Sequence, residues 1–69
     1  MNSMTPEQRR SLLAWINSHL DEIRTQPYRI TAERASKELG FFVHSLMMSR
    51  LARPVLRRLL TYRGQEQSP

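Results

Sequence analysis

Along residues 6–24, apolar side chains recur at helical spacing: Leu12 or Leu13, Ile16, Leu20 and Ile23 share one side, with Trp15 beside them. Asn17, Asp21 and Arg24 fall on the other side. Thr5-Pro6-Glu7-Gln8 reads as a helix start, with a capping hydroxyl, a proline suited to the first helical position and a glutamine that completes a capping box. The pattern predicts a first helix from Pro6 to about Arg24. Thr25-Gln26-Pro27-Tyr28 ends it, because proline disfavours helical geometry in the residue before it. Arg29-Ile30 reads as a short extended piece. Thr31 then caps a second helix, Ala32 to Leu39, with Glu33 in its first turn and Lys37 in its last, as the helix dipole prefers. Gly40 stands where a left-handed C-terminal cap is expected.

Most of the apolar mass and half of the arginines coincide in residues 41–63, FFVHSLMMSRLARPVLRRLLTYR. Met48, Leu51, Ala52, Val55 and Leu59 share one side of a helical repeat; Arg50, Arg53 and Arg57 take the opposite side, with Arg58 nearer the boundary. Ahead of them Phe41, Phe42, Val43, Leu46 and Met47 are apolar almost all round, which fits either a core segment or a surface that meets another molecule. Pro54 divides the segment. A proline inside a helix costs about 3 kcal/mol, whereas one in a first turn is tolerated. This favours a third helix ending near Ala52 and a fourth from Pro54 to about Tyr62 over one kinked helix. Gly64 closes the last helix, and residues 1–4 and 65–69 are expected to be flexible ends. The expected fold is all-α: one small helical domain over residues 1–69, with three to four short helices and a central helix-turn-helix.

The stretch ITAERASKELGFFVHSLMMSRLARPVLRRL resembles the helix-turn-helix of small bacterial and phage DNA-binding proteins, including the core of winged-helix domains. The resemblance is carried by a capped short helix with small Ala35 and Ser36, then Leu39-Gly40, then an apolar Phe41. Too few residues follow Tyr62 for a two-stranded wing. The resemblance implies that the helix after the turn enters the major groove and reads base edges from its first turns. By register those positions are Phe42, Val43, His44, Met47, Met48 and Leu51, of which only His44 is polar. A longer turn, with Ser45 as the cap, instead turns Met48 and Leu51 inward and Met47, Arg50 and Arg53 outward.

Charge sharpens the picture. The chain carries +5, from eleven Lys and Arg against six Asp and Glu, and residues 50–69 hold five arginines against the single acid Glu66. Arginine's planar fork suits phosphate and carboxylate, so an anionic partner is expected at the C-terminal part, duplex DNA first among them. The candidate nucleic-acid contacts are Arg50, Arg53, Arg57 and Arg58, with Arg63 extending the series and Ser45, His44 and Ser49 as base-contact candidates. The alternative is a protein-binding adaptor or inhibitor that docks Phe42, Val43, Leu46 and Met47 on its partner and pairs the arginines with an acidic rim.

Trp15 reads as core and His19 as a solvated flank. With no cysteine and two distant histidines, neither a metal nor any other cofactor is expected, and a reducing cytoplasm fits. No apolar run nears the roughly 20 residues of a membrane span and no signal-peptide pattern opens the chain, so a soluble protein is expected. No nucleophile has a base at workable spacing, and Asp21 and Glu22, adjacent on a helix, point apart; the chain does not read as an enzyme. These features favour a small basic transcriptional regulator of phage or mobile-element type. A homodimer is expected, because one short helix buries little duplex and paired half-sites overcome this.

Overall fold

The computed structural model describes the backbone of residues 4–67 and the side chains of residues 4–59. It is all-α. Four helices follow in order: α1 (Pro6–Ser18), α2 (Leu20–Thr25), α3 (Tyr28–Leu39) and α4 (Ser45–Gln67). No helix among the described residues is long and apolar enough to cross a membrane.

The start of α1 follows its sequence signature. Thr5 Oγ1 accepts from the Gln8 N–H and the Gln8 side chain accepts from the Thr5 N–H, both at 3.1 Å. The predicted single helix from Pro6 to Arg24 is interrupted, however, at His19. Three consecutive side chains at the break bond back to carbonyls four residues earlier, in competition with the backbone. Asn17 donates to Leu13 at 3.0 Å, Ser18 to Ala14 at 3.1 Å, and the His19 ring, through Nδ1, to Trp15 at 2.7 Å. With the Trp15 carbonyl taken by the ring, the His19 N–H bonds Ile16 instead at 3.1 Å. His19 is therefore half-buried, its ring stacked on the Trp15 indole at 4.1 Å between centroids, and not a solvated flank.

Helix α3 begins four residues before the predicted start at Ala32. Pro27 is its N-cap, and the Pro27 carbonyl accepts from Ile30 and Thr31 at 3.0 and 3.2 Å. Arg29 and Ile30 are helical rather than extended, and Thr31 is no cap: fully buried, it donates to the Tyr28 carbonyl at 3.1 Å. Proline is at ease there because its missing N–H would in any case have no helical partner. At the other end Gly40 adopts φ 83°, the left-handed cap, and its N–H reaches the Ser36 carbonyl at 3.0 Å. The sequence predicts this cap correctly.

Two further expectations fail in α4. Pro54 neither ends a helix nor opens one, since α4 runs unbroken through it. Pro54 is exposed, so the turn whose bond it removes lies toward water, which can satisfy the carbonyl left over. Gly64 does not close the helix either; α4 continues to Gln67, so residues 65–67 are helical, while residues 1–3 and 68–69 lie outside the described residues.

The core joins Leu12, Trp15 and Ile16 of α1, Ile23 of α2, and Met48, Leu51 and Ala52 of α4 around the small face of α3. Ala32 and Ala35 are the small side chains of α3 buried in this core, Ala35 being one of the two, with Ser36, that the sequence marks for the packing of the helix pair. Val43, one of the residues expected to dock on a partner, is buried in this core instead.

Candidate nucleic-acid interface

The turn that orients α4 is built by Ser36. Its hydroxyl donates to the Ala32 carbonyl at 2.8 Å and accepts from the Val43 N–H at 2.7 Å, so one small side chain ties the loop back to α3. Residues 40–44 make the longer of the two turns compatible with the sequence. The residue that caps α4 is His44, not Ser45: His44 Nδ1 accepts from the Leu46 N–H at 3.1 Å, and the His44 carbonyl accepts from Met48 at 3.0 Å. A ring nitrogen here does the work of a capping hydroxyl. The Phe42 ring stands edge-on to the His44 ring, with centroids 6.1 Å apart.

This turn sets the rotation of α4. Met48, Leu51 and Ala52 face inward, and Leu46, Arg50, Arg53 and Arg57 form one exposed line at steps of four, three and four residues. Arg50, Arg53 and Arg58 make no ion pair among the described residues. The side chain of Arg63 lies outside the described residues. Among the remaining candidates His44 is exposed, while Ser45 and Ser49 are half-buried at the edges of the inward stripe. Of the apolar candidates, Phe42 is 77% and Leu46 55% exposed, and Met47 is half-buried.

The fold adds cations that the linear order did not group with α4. Arg9 of α1 joins Arg50 and Arg58 at the rim of an open groove of about 680 Å³, floored by Leu13, Leu20 and Val55. On the other flank Arg29 and Lys37 of α3, with Glu33, line a shallow groove beside Phe42, His44 and Ser45. The signal for Arg9 was its charge alone, whereas Arg29, with Tyr28, reads in the sequence as either a loop contact to DNA backbone or a packing residue; it lies in α3 instead of a loop. Among the described residues no three acidic or histidine side chains gather as a metal site would need.

Glu22 and Glu38 are paired elsewhere. Trp15 Nε1 donates to Glu38 Oε1 at 2.9 Å, Arg34 Nε donates to Glu38 Oε2 at 2.9 Å, and Arg34 Nη1 pairs with Glu22. The indole hydrogen bond, and then the guanidinium, hold the Glu38 carboxyl below its ordinary range. The same carboxylates, Glu38 foremost, keep Arg34 more firmly protonated than usual. This cluster ties α1, α3 and α2 together on a face separate from the arginine line.

Comparison with protein-family models, with curated protein sequences and with solved structures finds no match for the chain.

Proposed function

We propose that this is a small helix-turn-helix DNA-binding protein, with α3 and α4 as the two helices of the motif and the outward line of α4 as its duplex-facing surface. One observation carries the reading. Arg50, Arg53 and Arg57 stand on one exposed line of a helix that has no acidic residue before Glu66. Guanidinium groups so spaced can follow a phosphate backbone, and Arg9, Arg29 and Lys37 widen the basic surface on either side. Ser45, His44 and Ser49 lie where the first turn of such a helix meets base edges. Two copies on paired half-sites would supply the contact area that one copy lacks, as befits a regulator.

The test is binding to a random-sequence duplex, followed by fluorescence anisotropy at about 50 and 200 mM salt. Three phosphate contacts, each contributing about 0.9 to the log-log slope, give a loss of roughly 40-fold between the two conditions. Absence of binding at the lower salt overturns the reading.

One observation favours a second reading. Phe42 and Leu46 are exposed on the isolated chain, as in an adaptor or inhibitor that docks them, with Met47, on a protein partner. In that case the arginines pair with an acidic rim, and the chain binds no duplex even at low salt.

A further inference from the structure

Resting on the duplex-binding reading, we propose that the first turn of α4 selects thymine, with the Leu46 side chain seated against the C5-methyl group in the major groove. The placement of Leu46 carries this. It is the first member of the exposed line that continues as Arg50, Arg53 and Arg57, so a duplex that engages the arginines also meets Leu46. Its position is fixed, because its N–H is held by His44 Nδ1 and the turn beneath is pinned by Ser36. At 55% exposed, its isobutyl group is free to be covered.

The chemistry of the groove decides what can cover it. The base edges there present hydrogen-bond donors and acceptors at guanine, cytosine and adenine, and thymine alone adds a methyl. An apolar side chain pressed on a donor or acceptor strips that group of water without replacing the bond, which is unfavourable. Pressed on a methyl, it buries apolar surface on both sides. A leucine leading a line of arginines therefore discriminates among base pairs, where the arginines behind it hold phosphates of any sequence.

The test uses two duplexes of about 24 base pairs, one alternating dA and dT, the other with dU replacing every dT. They differ only by the methyl, since uracil keeps the same hydrogen-bonding edge. Wild-type chain is expected to bind the thymine duplex about four-fold more tightly for each methyl met, the equivalent of one buried methyl group. Leu46→Ala, a change at an exposed position that leaves the fold intact by circular dichroism, is expected to bind both duplexes equally and to keep the salt dependence. Equal wild-type affinity for the two duplexes overturns the thymine inference and leaves duplex binding standing. A preference that survives Leu46→Ala also overturns it, because the methyl is then sensed elsewhere or through duplex shape. Failure to bind either duplex at about 50 mM salt removes the duplex-binding reading itself.

Discussion

Two faces of the molecule handle charge in opposite ways. Where α1, α2 and α3 meet, Glu22, Arg34 and Glu38 alternate in sign, and the Trp15 indole closes the chain. The outward line of α4 repeats one sign, with Leu46 ahead of Arg50, Arg53 and Arg57. The first arrangement pairs opposite charges within the fold and links three helices, although Glu22 Oε2 is buried without a hydrogen-bond partner among the described residues. The second keeps like charges on neighbouring turns, which costs a lone helix some stability. That cost is recovered when an anion binds. Opposite charges paired between helices are architecture, and like charges lined along one exposed helix face point to a partner.

The comparison can be broken from either side. Removing two charges from the arginine line, by Arg50→Ala with Arg53→Ala, is expected to weaken duplex binding roughly 60-fold at about 100 mM salt and to flatten the log-log salt slope by nearly two. The melting temperature should not move; a large drop would mean that these arginines serve the fold. Arg34→Ala attacks the matched side and should do the reverse. It is expected to lower the melting temperature by a few degrees while changing duplex affinity less than two-fold, measured by calorimetry and anisotropy on one preparation.

The smallest effect concerns acid. Glu38 titrates below its ordinary 4.5 in the folded chain. Its contribution is therefore complete above the unfolded value and is lost as pH falls through the lower, folded one. Thermal melts should show a mild loss over that window. Trp15→Phe removes the larger cause of the shift and should flatten the loss.

How much of this was legible in the sequence depends on the range of the interaction. The Thr5–Gln8 capping box, the Gly40 cap and the inward stripe from Met48 are local or periodic, and the residues themselves announce them. The break at His19 was hidden because Leu20 and Ile23 keep the apolar spacing going while side chains compete for the backbone. Thr31 has a capping residue's chemistry but lies inside α3, where burial decides its partner. Pro54 misled for a related reason: its cost depends on whether the orphaned carbonyl faces water or core, and spacing does not report that. At the candidate site the Arg50, Arg53 and Arg57 ridge was visible as periodicity. The cluster of Trp15, Glu38, Arg34 and Glu22 was not, since it joins residues far apart in the chain through packing alone.

The short connection of residues 40–44 also bears on the order in which the chain folds. Closing a loop this short loses little chain entropy, and Ser36 and Val43 meet across only seven positions. Trp15 and Glu38 must find each other across 23. Contacts near in sequence form fastest, so α3 and α4 are placed to pair first and α1 to dock on them afterwards. Mutations in the turn should then slow refolding, while mutations at Trp15 should mainly speed unfolding. On that schedule the arginine-bearing helix takes its orientation from a nucleus that α1 completes but does not create.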